Sequence, residues 1–106
     1  MIVTPAATIA GRRIVQTLGL VRGNTIRARH IGKDIVAVIK NIVGGEIEEY
    51  TALLSQAREQ ALGRMMDQAA ELGANAVTDV RFSTAYVMSG AAEILAFGNA
   101  VVVEPE

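Results

Sequence analysis

His30 and Asp34 are the residues of this chain whose types and spacing come nearest to a metal site. They stand four positions apart, so on a helix both side chains would lie on one face, a spacing that suits two metal ligands. A zinc or iron site needs about three protein ligands, and Arg27, Arg29 and Lys33 nearby would repel a cation. The sequence therefore predicts no metal site. His30 and Asp34 are only weak candidates, and His30 is interpreted as a solvated or hydrogen-bonded residue near the start of a helix.

The glycine pair Gly44-Gly45 comes directly before a helical pattern, which is how many proteins bind phosphate on free backbone N–H groups. Here the first turn of that pattern holds Glu46, Glu48 and Glu49, which would repel a phosphate. Neither GxxxxGK[ST] nor GxGxxG occurs in the chain. We interpret the pair as a tight joint between two helices, and no cofactor is predicted.

No motif requires an enzyme. Ser55, Ser83 and Ser89 lack a G-x-S-x-G setting, and a single histidine would have to serve as their base. Four carboxylates fall on the polar side of the longest helical pattern, which favours a solvated surface over an acid–base site. These carboxylates are Glu48, Glu49, Glu59 and Asp67. A hydrolase-like enzyme whose site forms only between subunits stays open as an alternative to a non-enzymatic protein.

Charge is divided unevenly along the 106 residues, although the formal net charge is only −1. Residues 1–45 carry seven basic side chains against Asp34 alone, whereas residues 46–106 carry ten acids against three arginines. A basic half can meet nucleic acid, but the chain offers neither a basic tail nor an aromatic platform for stacking bases. The sequence instead predicts that the two halves neutralise each other, within a subunit or between subunits.

Composition places the chain among single globular domains, here residues 1–106, with a core of small aliphatic residues. Aromatic residues make up 4% and tryptophan is absent, which argues against a flavin store that stacks the ring system on tryptophan. No apolar run approaches the roughly 18 residues that span a bilayer. With no cysteine, disulfides are excluded, which fits a reducing cytosol and predicts a cytoplasmic protein.

The N-terminal half predicts a short strand at Ile2-Val3 and then a long strand within residues 12–28. This second segment is rich in β-branched residues and is interrupted by Gly19 and Gly23, so we expect a bend or bulge in it. Residues 32–43 have apolar side chains at helical spacing and predict a short helix.

The clearest element is a long helix from Glu46 to Leu72, where apolar residues recur at steps of three or four. Gly73 suits the left-handed position just past its end, and Gly63 in its middle predicts a close packing contact. Two β-rich runs follow, with a hairpin turn near Ser89-Gly90, so the order is β-α-α-β-β.

Val101, Val102 and Val103 are apolar without alternation, which indicates that both faces of the last strand are covered. One long helix covers only one face of a small sheet. We therefore expect another copy of the chain to cover the other face, with Arg12 and Arg13 adding charge to the interface.

Three stretches resemble the YbjQ-like family, which is labelled as a heavy-metal-binding domain. They are Ile42-Val43-Gly44-Gly45, Ala57-Arg58-Glu59 and Leu72-Gly73-Ala74-Asn75-Ala76-Val77. The chain departs from the family pattern at Thr78-Asp79, where relatives often carry an apolar residue and glycine.

The resemblance implies an α+β subunit of dodecin-like β-α-β-β type, with one long helix packed on a small antiparallel sheet. It further implies a ring that is typically a homopentamer without established enzymatic activity. On this basis we expect an uncharacterised, non-enzymatic ring-forming protein that binds a small ligand or metal ion at its subunit interfaces.

Overall fold

The fold is known from a computed structural model, which describes residues 1–27, 47–88 and 91–106. Side chains are described for residues 1–25, 54–85 and 93–106. The predicted short helix within residues 32–43, the Gly44-Gly45 joint and the turn at Ser89-Gly90 lie outside the described residues.

The elements follow the predicted order. They are β1 (Ile2–Val3), β2 (Arg12–Arg27), α1 (Ile47–Glu71), β3 (Ala76–Met88) and β4 (Ala91–Pro105). The strands form one mixed sheet in the order β1-β3-β4-β2, with the three long strands antiparallel and β1 parallel to β3. The α+β class, with one long helix packed on a small sheet, is therefore confirmed.

Irregular backbone lies where the sequence predicts it in β2. The pairing of β2 with β4 shifts between Ile14 and Gln16 and again between Thr17 and Gly19, where Gly19 has a φ of 126°. Each shift places an extra residue in β2, which bends a strand and increases its twist.

α1 packs on the sheet through a face of small residues. Ala57, Ala61, Met65 and Ala69 are fully buried and recur at steps of four, as the helical period requires. Leu72, which continues the same apolar spacing in sequence, lies past the end of the helix and is 48% exposed.

Gly73 ends α1 in the left-handed conformation, with a φ of 89°. The N–H of Ala74 donates to the carbonyl of Ala69 at 3.0 Å, and that of Gly73 to the carbonyl of Ala70 at 3.0 Å. These two bonds form a Schellman motif, which satisfies carbonyls that the helix end would leave free.

The closest approach of helix and sheet is at Gly23 of β2. A Cβ there would collide with the backbone of Ala61 and Met65 and would come within 2.8 Å of the carbonyl carbon of Arg64. The close contact predicted at Gly63 is wrong for the described residues, because none has an atom within 4 Å of a Cβ placed there. The small residue that lets helix and sheet approach belongs to the strand.

We predict opposite effects from two glycine substitutions. Gly23→Ala should lower the free energy of unfolding by about 1–3 kcal/mol, because the added methyl overpacks a rigid backbone contact. Gly63→Ala, made as the matched control, should raise it by about 1 kcal/mol, because alanine favours the helix and meets open space. Urea denaturation followed by circular dichroism measures both, and equal effects would contradict this account of the packing.

Candidate functional site

The structure describes only some of the polar residues that the sequence predicts as chemical candidates. His30, Asp34 and Ser89 lie outside the described residues, as do the side chains of Glu48 and Glu49. Where the structure describes the chain, no three histidine or acidic side chains are grouped so that they could hold a metal ion.

The remaining candidates lie apart from one another. Ser55 accepts a hydrogen bond at 3.2 Å from Arg58 within α1, whereas Ser83 is exposed on β3. Glu59 and Asp67 are exposed along α1, as expected for a solvated helix surface. These contacts give no geometry for nucleophilic or acid–base chemistry among the candidates named here.

The first half of β2 is open to solvent on both faces. Ile14 and Val15 are 36% and 43% exposed, and Leu20 is 64% exposed. Arg13 donates to Glu104 at 3.3 Å, the one ion pair that the described residues contain, and both partners are largely exposed. An exposed pair of this kind contributes little to stability, so this half of β2 is held mainly by its backbone pairing with β4.

The second half of β2 is closed along its outer edge by α1. Gln68 accepts a hydrogen bond from the backbone N–H of Arg22 at 2.7 Å, and Arg64 donates to the backbone carbonyl of Asn24 at 2.6 Å. Unpaired N–H and C=O groups on an edge strand attract other strands, so these two side chains protect this part of the edge.

The opposite edge of the sheet, along β3, is closed at its first residues by the N-terminal segment. The N–H of Thr4 donates to the carbonyl of Val77 at 3.0 Å, and the N–H of Val80 donates back to the carbonyl of Thr4 at 3.1 Å. The N–H of Asp79 donates to the carbonyl of Ala6 at 3.0 Å, and the side chain of Arg81 donates to that of Pro5 at 2.8 Å.

Asp79 marks a bulge where the pairing of β3 with β4 shifts between Thr78 and Arg81. Its φ of 55° is a left-handed conformation that glycine adopts most easily. Its Oδ2 accepts hydrogen bonds from Asn99 Nδ2 at 3.1 Å and from Thr78 Oγ1 at 3.4 Å. Opposite the bulge, a Cβ on Gly98 would lie 2.8 Å from the carbonyl oxygen of Thr78. Thr78-Asp79 is thus a structural joint held by a local polar cluster.

Val101 and Val103 are 2% and 4% exposed within the single chain, where they pack with Ala76 and Ile9. A second copy is therefore not needed to bury them. Val102, between them, is half-buried and points to the opposite face of the strand. Of the three valines named as interface residues, Val102 keeps the most surface for a partner.

One cross-strand row on the face away from α1 could not be read from the sequence. The register places Arg22 and Arg81 on either side of Phe97. Both arginines are exposed and Phe97 is half-buried. Neighbouring strands hold this row together, so a sequence pattern that predicts strands without their register cannot find it.

Comparison with known proteins gives a consistent family. A family model described as "Putative heavy-metal-binding" (YbjQ) matches residues 1–104. A UPF0145 protein of Dehalococcoides mccartyi strain BAV1 is 59% identical over 104 residues, which cover 98% of this chain and 100% of that protein. A UPF0145 protein of Archaeoglobus fulgidus is 56% identical, covering 95% of this chain and 94% of its own length.

A solved structure shares the fold at low sequence identity. It is a protein of unknown function from Pediococcus pentosaceus, assigned to the DUF74 family, with a TM-score of 0.66 and 15% identity. The match covers 98% of each chain. No helix in the described part of the chain has the length and apolar character needed to cross a membrane.

We predict that glycine replaces Asp79 at lower cost than alanine. Asp79→Ala loses the bond from Asn99 and keeps the unfavourable φ, so the free energy of unfolding should fall by about 2 kcal/mol. Asp79→Gly loses the same bond but relieves the backbone, and should cost less than about 1 kcal/mol. Denaturant titration of both variants measures the difference, and an equal cost for glycine and alanine would contradict a strained backbone at this site.

We predict that Zn²⁺ or Ni²⁺ binds the purified protein no more tightly than it binds an ordinary protein surface. His30 and Asp34 together supply fewer than the roughly three ligands that a site requires. His30→Ala should leave any binding unchanged in a calorimetric titration, with chelator-treated protein as the control. Submicromolar binding that depends on His30 would overturn this prediction.

Proposed function

The chain belongs to the YbjQ-like family, also called UPF0145, and from this premise we propose that it is a non-enzymatic, cytoplasmic protein that assembles into a homopentameric ring. In this proposal residues 1–106 act as one domain and the subunit interfaces bind a small ligand, or a metal ion other than Zn²⁺ or Ni²⁺. The observation that carries the proposal is the exposed apolar surface of the two outer long strands, β2 and β3.

Several apolar side chains of the outer strands are exposed. Ile14, Val15, Leu20 and Phe82 are each at least 36% exposed, and all four lie on β2 or β3, the outer long strands of the sheet. Scattered apolar residues are normal on a protein surface, but apolar residues on open strands favour association.

Charge supports an interface between unlike surfaces. Arg12 and Arg22 of β2 are exposed, and Glu59, Asp67 and Glu71 are exposed on α1. Unlike charges on neighbouring subunits can therefore attract each other and select their orientation, and interfaces between unlike patches form rings when the rotation closes. The choice of five subunits rests on the family resemblance, since the charge pattern fits four or six as well.

The assignment of interface residues is part of this proposal. Val102 supplies apolar area and Arg12 and Arg13 supply charge, whereas Val101 and Val103 support Val102 from within the chain. Ligand binding would take place in clefts between neighbouring subunits. No contact among the described residues favours the hydrolase-like alternative.

We predict a mass near five times the 11.2 kDa chain by light scattering at micromolar concentration. Val102→Asp should dissociate the ring or prevent folding, because a buried charge without a partner is costly. Val102→Thr, which is similar in shape, serves as the control and should keep the ring. Native mass spectrometry of the same sample would reveal a retained ligand as added mass, and a folded wild-type monomer at this concentration would refute the proposal.

A further inference from the structure

The sheet has two outer edges, and the described residues close each of them along one part of its length only. On one side lies β2, and on the other lies β3 with the short β1 beside its first residues. Backbone groups along the remaining parts of these edges are available to another strand.

The open part of β2 runs from Ile14 to Leu20. Below it, the N–H of Arg12 donates to the carbonyl of Ile9 at 3.1 Å, and above it Gln68 and Arg64 bind the backbone of Arg22 and Asn24. Within residues 14–20, no hydrogen bond from the described part of the chain reaches the outward backbone groups. Leu20 has the same alternation as Arg22 and Asn24, so its N–H and C=O also point outward.

The open part of β3 runs from Phe82 to Met88. The N-terminal segment covers β3 only as far as Arg81, and no described residue pairs with the outer side of the strand beyond it. Phe82, the first residue of this open part, is 47% exposed.

The two open parts lie at opposite ends of the sheet. Measured along β4, residues 14–20 of β2 lie beside residues 103–99, whereas residues 82–88 of β3 lie beside residues 96–91. Each open part has seven residues. Because β2 and β3 both run antiparallel to β4, they run parallel to each other.

We propose that the open part of β2 in one subunit pairs with the open part of β3 in the next, as parallel strands, so that one continuous sheet closes the ring. This inference rests on the ring proposed above and adds a backbone contact to the side-chain contacts proposed there.

Three features favour this pairing over others. A rotation about the ring axis keeps strand direction, so it brings β2 beside a parallel β3 without turning a subunit over. The offset between the two open parts provides the stagger that a closed sheet of tilted strands requires. An antiparallel β2–β2 dimer would leave both β3 edges exposed, and exposed edges are what folded β-proteins avoid.

Cross-linking tests the pairing cleanly because the chain has no cysteine. Thr17 and Ala85, at the centres of the two open parts, are exposed and lie on the same face of the sheet, as their partners Val101 and Glu93 show. The double variant Thr17→Cys/Ala85→Cys, treated with a short bis-maleimide, should give a ladder of covalent multimers ending at the full ring. The reagent spans roughly two residues along a strand, or about 7 Å. Cross-linking is therefore expected even if the register of the β2–β3 pairing differs by one or two residues.

A matched control moves one cysteine by a single residue. Thr84 pairs with Ile94 and so lies on the opposite face, and Thr17→Cys/Thr84→Cys should cross-link at least tenfold more slowly. Each single variant should give no covalent dimer. As a second measurement, the amides of residues 14–20 and 82–88 should be protected from hydrogen exchange in the wild-type ring and lose that protection in a folded monomeric variant.

The outcomes separate this inference from the proposed function. Dimers from Thr17→Cys alone would show β2–β2 pairing and overturn the inference. Equal cross-linking of the two double variants, or unprotected amides in both segments, would also overturn it while light scattering still shows a ring. A monomer by light scattering would remove the ring itself, and the inference with it.

Discussion

The approach of the α1 backbone to Gly23 is the constraint on which the rest of the structure depends. The helix can approach the sheet this closely for two reasons. Its contact face is built from alanines and one methionine, and β2 has no side chain at the point of contact. A helix packed close to the sheet buries small residues without leaving voids. This matters because the chain has 4% aromatic residues and no tryptophan to fill a wider gap. The same approach brings Gln68 and Arg64 within hydrogen-bonding reach of the β2 edge. Packing and edge protection therefore have one cause.

This position of the helix leaves the other edge of the sheet, at β3, less covered. The helix lies over β2 and β4, and Phe82 on the helix-facing side of β3 is left 47% exposed. The N-terminal segment compensates only at the first residues of β3, where the bulge at Asp79 turns backbone N–H groups towards Thr4 and Ala6. Both protective devices are local, and each stops near the middle of its strand. The diagonal arrangement of the two open parts follows from where the helix and the N-terminus end.

The sequence predicted the features that depend on the backbone conformation of one residue or on the spacing of apolar residues within one element. The long helix, its end at Gly73 and the irregular β2 follow from spacing and from glycine, and all three are present. It was misleading at Gly63, because a glycine in a helical pattern does not reveal which surface approaches the helix. It could not show that Ile9 helps to bury Val101 and Val103, since that contact joins residues about ninety positions apart. The open edges depend on register and on two side chains that reach across from α1, and neither is encoded in local periodicity.

In the proposed ring, closure explains how modest contacts can hold such a subunit. Two subunits that meet through one edge pay the full loss of translational and rotational freedom, a cost of several kcal/mol. Once a chain of subunits has formed, its two free ends are held at high effective concentration, so the last contact forms without that cost. A linear chain would also leave an open edge at each end, where further copies could add without limit. For a sheet with two unlike open edges, the closed ring is therefore the arrangement that both satisfies the backbone and stops growth.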